Sequence, residues 1–221
     1  MTASTPIAAA ALAGVPSGVQ AQGVWAGRRQ LFIRFAGEAE TATMYTAAAL
    51  VRELERQIRR SRFHSISIGG RDPLANVPFL QAALAEIPSD IPVMLDTDGQ
   101  RPGAIRDIAG RLALIQVTVE FSGPEATIAH AITTIKAAAA AGRRHALVLV
   151  PRDDTTDAQM LRIIQQAGEA SAATQVILHP SLPSGDTPAL DRRWSGLLEQ
   201  ALTQHADCRL ALRLPPPTGL R

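Results

Sequence analysis

Cysteine occurs once in the chain, at Cys208. A single thiol excludes an intramolecular disulfide, which fits a cytosolic protein. It also excludes an iron–sulfur cluster held by three thiolates of this chain. Aromatic residues are scarce, at 4% of the sequence, so the core is expected to be built from Ala, Leu, Ile and Val. A dominant charge is missing as well: 22 basic side chains face 20 acidic ones, for a net +2 despite a pI near 9.3. Nucleic-acid binding needs basic residues gathered on one face. The clusters here, Arg59-Arg60-Arg62 and Arg143-Arg144, fall at predicted helix ends, where cations complement the helix dipole. No nucleic-acid partner is therefore expected.

Long apolar runs are also absent. Residues 7–15, IAAAALAGV, come nearest, and no basic residue precedes them. They are too short to span a membrane and lack the pattern of a secretory signal. The expectation is a cytoplasmic protein whose N-terminal residues form either a short Ala-rich helix for docking or a disordered tail.

What the chain does have is an apolar content of 46% over 221 residues, enough for one sizeable core. Apolar β-like runs at 29–35, 64–69, 91–96, 112–121, 145–150, 174–179 and 208–214 alternate with helical patterns. The latter lie near 43–60, 76–86, 102–110, 125–141, 156–171 and 188–205. In the first helix Leu50, Val51, Leu54 and Ile58 recur at the spacing of a buried stripe, with Arg52, Glu53, Arg56 and Arg59 opposite. Gly142 supplies a helix stop, and Thr155-Thr156-Asp157 supplies capping chemistry. Strand–helix alternation predicts an α/β fold with a parallel sheet and right-handed crossovers. The expected architecture is an incomplete β/α barrel of six to seven strands, with residues 1–28 as a lead-in and 29–221 as a single domain.

The ends of parallel strands are where such folds place ligands, and the first of them carries the most informative stretch. Residues 20–27 read QAQGVWAG, and residues 29–47 read RQLFIRFAGEAETATMYTA. Together they resemble the N-terminus of 7-carboxy-7-deazaguanine synthases, a branch of the radical S-adenosylmethionine (SAM) superfamily. There a QGEG-like segment precedes a strand ending in a sequence like VRFAGCNLRCPYCDT. Further along, SISIGGRDPL at 65–74 resembles that family's TGGEPL segment, and PVMLDTDG at 92–99 its LETNG strand end. QVILHP at 175–180 is similar to a LVLQP-like strand, and 209–221 to a VRVIPQTHKLLGVR-like terminus.

The resemblance implies a radical SAM-type barrel, and it locates what has changed. Arg34, Phe35, Ala36 and Gly37 hold their places, but the three cluster cysteines fall on Glu38, Ala42 and Tyr45. The threonine that the family uses for magnesium falls on Ala47, and the QGEG glutamate on Gln22. Neither a [4Fe–4S] cluster nor radical chemistry is then expected, while SAM binding stays open.

Five residues remain as vestigial ligand contacts: Arg34, Gly69, Gly70, Asp96 and Asp98. The resemblance assigns Arg34 to a substrate carboxylate and the Gly69-Gly70 segment to the SAM amine. The residues themselves also read as a salt bridge and a tight β-to-α turn. Asp96 and Asp98 are either a cation pair or, respectively, a helix cap and part of an Asp98-Gly99 turn. His64, His145 and His179 lie at opposite ends of their strands, which argues against a zinc site. The leading expectation is a pseudoenzyme serving as a structural or regulatory subunit, in a homodimer or with a protein partner. Its alternatives are a SAM or deazapurine sensor, and an enzyme with non-radical chemistry on Asp96, Asp98 or Glu38.

Overall fold

The seven apolar runs become seven parallel strands, and the central ones, buried on both faces, read as near-continuous apolar stretches. The computed structural model describes residues 8–121, 126–180 and 187–211. The parallel strands are β3 (Arg29–Phe35), β5 (Ser65–Gly70), β6 (Val93–Thr97), β7 (Leu114–Glu120), β8 (His145–Val150), β9 (Gln175–Leu178) and β10 (Cys208–Leu210). Three further strands, β1 (Ala9–Gly14), β2 (Ser17–Val19) and β4 (Thr43–Thr46), pair antiparallel at the β3 side. Among the described residues the sheet therefore has ten strands in the order β10-β9-β8-β7-β6-β5-β3-β1-β4, with β2 beside β3, rather than six to seven. It is an α/β fold around a mostly parallel sheet.

Of the three unforeseen antiparallel strands, β1 and β4 share one cause. Alanine is the strongest helix former, but propensity is a weak prior, and the pairing of the two segments with each other overrides it. Ala9, Ala10, Ala11 and Leu12 pair with Thr46, Tyr45, Met44 and Thr43, so the N-terminal segment described from residue 8 is a strand and neither a helix nor a loose tail. Thr43–Thr46 is thereby taken from the first helix. Helix α1 (Ala47–Ile58) begins one residue after Thr46, whose hydroxyl accepts from Ala49 N at 3.2 Å as an N-cap.

The remaining helices are α2 (Val77–Glu86), the single turn α3 (Ile105–Ile108), α4 (Ala126–Ala140), α5 (Asp157–Ala170) and α6 (Thr187–Gln204). Leu50, Val51 and Leu54 of α1 are buried, and Ile58 packs half-buried beside them. Gly142 ends the fourth helix at a φ of +65°. Thr156 and Gln159 form a reciprocal capping box on α5. Thr156→Ala is expected to cost about 1 kcal/mol in urea unfolding. The last part of the seventh predicted run, residues 212–214, and the terminus to Arg221 lie outside the described residues.

Period-two alternation divides the sheet into two faces. Leu31, Ile33, Ile66, Ile68, Val93, Leu95, Ile115, Val117, Leu147, Leu149, Val176 and Leu178 all pack in the two helix-side cores. The opposite face is apolar over one half, where Met94, Leu114, Ala146, Val148 and Ile177 receive Val24 and Trp25. Over the other half it is polar, and the candidate site lies there. Among the described residues, no helix is long and apolar enough to cross a membrane.

Candidate functional site

A loop from Gln20 to Arg28 closes the apolar half of the open face. Its ends are tied by Gln20 N to Arg28 O and Gly27 N to Gln20 O, both 2.9 Å. Its middle is held by side chains of the strands. Gly23 N donates to His179 Nε2 at 2.9 Å and Val24 N donates to Gln116 Oε1 at 3.0 Å. Gln22 Nε2 reaches Thr118 Oγ1 at 3.5 Å, and Trp25 meets His64 edge-on at 5.1 Å between ring centroids. Buried polar residues on a parallel strand are costly unless bonded. Gln116 in β7 and His179, just past β9, meet part of that need by accepting from the loop's backbone.

The loop leaves open a cavity of 540 Å³ above the carboxyl ends of β3, β5, β6 and β7, lined also by Gln20 and Gln22. All five residues picked from the sequence, Arg34, Gly69, Gly70, Asp96 and Asp98, line it. The topology brings them together because β3, β5 and β6 are adjacent and parallel, with Arg34 opposite Gly69 in register. Thr118 and Glu120, from the next strand, line it too. So does Gln100, which follows Asp98 in a turn where Gln100 N donates to Asp98 Oδ1 at 3.1 Å.

Asp96 is the chemically unusual member. It does not cap a helix: its Oδ1 accepts from Thr118 Oγ1 at 2.8 Å, across to β7. As a residue it is half-buried and lines the cavity, on the same face of the sheet as Thr118. Desolvation there raises its pKa above the ordinary 3.8, and the nearby charge of Glu120 adds to this. Hydrogen bonding from Thr118, Gln116 and Gln22 opposes the shift without cancelling it.

Arg34 is half-exposed and bonds Glu40 Oε1 at 2.9 Å, while Glu40 Oε2 accepts from Gly37 N at 2.9 Å. Arg34 thus lines the cavity wall and also forms the salt bridge that the residue itself suggested. Gly70, at a φ of +95°, sits where a Cβ would lie 2.3 Å from Phe35 O, so the turn itself requires glycine. Asp72 stays outside the cavity wall, paired with Arg101 at 2.8 Å.

Glu38, Ala42 and Tyr45 do not line the cavity. Glu38 is 93% exposed and faces Arg71 at 3.7 Å; Ala42 is exposed on the loop before β4, and Tyr45 is within β4, opposite Ala10. One carboxylate, one methyl and one phenol on a strand do not match the three convergent thiolates that a [4Fe–4S] cluster takes. Cys208 lies on β10, at the far end of the parallel set from β3. Burial, with Asp207 beside it, pushes its thiol up to about 11, the opposite of a ligating or nucleophilic cysteine. Among the described residues no three His, Cys, Asp or Glu side chains gather as a metal site, and His145 turns away to Arg143 O at 2.7 Å.

Against known proteins, no family model matches the chain. It is 31% identical over 120 residues to the 7-carboxy-7-deazaguanine synthase of Methanothermobacter thermautotrophicus. That alignment covers 48% of this chain and 47% of the synthase. The chain thus spans about half the length of the curated relative it matches. The similarity is real but partial.

The sequence reading missed Gln20, Thr118 and the loop that frames the cavity, and it saw Gln22 only as a lost glutamate. One signal was present: Gln116 and Thr118 interrupt an otherwise apolar strand, and buried polar residues there need partners from elsewhere in the chain.

Proposed function

We propose that this chain is a cluster-free relative of 7-carboxy-7-deazaguanine synthase that keeps a small-molecule cavity and binds a polar ligand there without radical chemistry. SAM is the first candidate, because the similar protein is a 7-carboxy-7-deazaguanine synthase and the resemblance of the Gly69-Gly70 segment implies a contact with the SAM amine. One observation carries the reading. The five vestigial contact residues share a single 540 Å³ cavity, while the three cluster positions lie outside it and offer no thiolate.

The test is calorimetric titration of aerobically purified protein with SAM, after iron has been measured by elemental analysis. One-to-one binding without iron is the expected result. Gly69→Leu should weaken it roughly tenfold or more, because its Cβ would start 3.5 Å from Asp96 O and its side chain would fill the floor. Stoichiometric iron would overturn the cluster-free reading, and absence of SAM binding would overturn the ligand.

A second reading, the structural or regulatory subunit, is favoured by one specific feature. Strand β4 ends the sheet and exposes 67% of Met44 beside an edge with no further strand among the described residues. Such an edge is a template for pairing with another chain. Light scattering of the native protein and of Met44→Lys tests it: an oligomer that the lysine dissociates supports the reading, and a monomer in both opposes it.

A further inference from the structure

We infer that the cavity selects a compact organic cation, an amidinium, guanidinium or ammonium head, seated on Asp96 and flanked by the side-chain amides of Gln20 and Gln22. The inference rests on the ligand-binding reading above and names the chemistry of that site. The charges around the cavity set the sign. Asp96, Asp98 and Glu120 line it against one cation, Arg34, whose Nη2 is already engaged by Glu40 at 2.9 Å. An anion would meet three carboxylates and, in the wall, one arginine that is already paired with Glu40. A neutral molecule would leave the floor carboxylate without a counter-charge in a desolvated place, which costs more than it does at a surface.

The amides supply the second, independent observation. Gln20 is 5% exposed and lines the cavity, yet its side chain makes no hydrogen bond among the described residues. Its amide atoms are not sealed from solvent, so in a largely buried residue they open into the cavity, where a ligand can meet them. Gln22 repeats the pattern at a single atom. Thr118 gives its proton to Asp96 at 2.8 Å, so the Gln22 atom 3.5 Å from that hydroxyl is the amide nitrogen acting as donor. Its other atom, Oε1, is then a buried acceptor with no partner. A floor carboxylate next to an unsatisfied acceptor and an idle amide calls for a group rich in N–H donors and positive in charge. The raised pKa of Asp96 agrees with this placement, because an arriving cation restores the ionised form.

Three probes of one shape and different charge test the point: benzamidine, benzamide and benzoate, titrated into the full chain by calorimetry and ligand-observed NMR. Benzamidine is expected to bind at least roughly tenfold tighter than benzamide, with benzoate weakest. Asp96→Asn should abolish the preference, and Gln20→Leu should weaken benzamidine roughly tenfold while circular dichroism shows both variants folded. Equal response to all three probes, a preference for the neutral or anionic one, no binding by any, or a preference that survives Asp96→Asn would overturn the inference. SAM binding that persisted beside such a result would leave the proposed function standing and withdraw only the cation selectivity. Benzamidine selectivity without SAM binding would do the reverse.

Discussion

Replacing Gly70 by alanine is expected to destabilise the fold by about 3 kcal/mol, although the change adds one methyl group at the rim of a cavity. Two costs combine. The residue sits at a φ of +95°, where an L side chain is strained in any surroundings. The added Cβ would also lie 2.3 Å from Phe35 O and 2.7 Å from Phe35 N, and both are backbone atoms of β3. A flexible side chain would rotate away, but a central strand cannot. Phe35 O is moreover the acceptor for Arg71 N at 3.0 Å, so pushing β3 aside breaks the bond that closes the turn. Gly69→Ala, one residue earlier, is the internal control. Its Cβ finds nothing nearer than Asp96 O at 3.5 Å, and no positive φ opposes it, so a change within about 1 kcal/mol of zero is expected. Urea unfolding of both variants separates the two sites, and equal effects would refute this account. The comparison also shows why binding should be probed at Gly69. A substitution at Gly70 alters the turn before it alters the ligand.

The same turn illustrates what was legible in the sequence. The parallel strands were readable because continuous apolar runs bounded by helices have few other uses, and all seven occur in register along one sheet. The cavity residues were readable because they end adjacent strands, and strand ends are where parallel sheets open. Strands β1 and β4 were not. The Ala-rich run 9–14 and the TMYT run 43–46 each have an ambiguous local preference, and only their mutual pairing, Ala9 with Thr46 through Leu12 with Thr43, decides it. The role of residues 20–28 was hidden for a related reason. A loop whose partners are Gln116, Thr118 and His179, far along the chain, leaves no local periodic signal. Asp96 falls between the two cases. Its place at a strand end was visible, but helix capping was the cheaper local explanation, and the bond to Thr118 exists only once β6 and β7 lie side by side.

Asp96→Asn is expected to raise stability while it removes the cation preference, and the gain should depend on pH with a definite sign. Desolvation on the cavity floor, reinforced by Glu120, holds the folded-state pKa of Asp96 above the ordinary 3.8 of an unfolded chain, against the opposing hydrogen bonds of Thr118, Gln116 and Gln22. Between those two pKa values the folded state holds more protons than the unfolded state. Stability contributed by this group therefore falls as pH rises across the interval and stays low above it. Below 3.8 both states are protonated and the group is neutral in the balance. Asparagine keeps the shape and removes the titration. The melting temperature of Asp96→Asn relative to wild type should thus be smallest in acid, climb as pH rises, and level off once the wild-type carboxyl is ionised. Scanning fluorimetry across pH reads the difference directly, and parallel curves for the two proteins would show that the floor is wetter than the structure makes it. A bound cation should erase the difference from the other side, because it supplies a counter-charge to a carboxylate that has no cation beside it among the described residues. A carboxylate that has hydrogen-bond donors within the chain but no cation beside it, and that lowers the stability of the free protein, is in the position expected of a binding group.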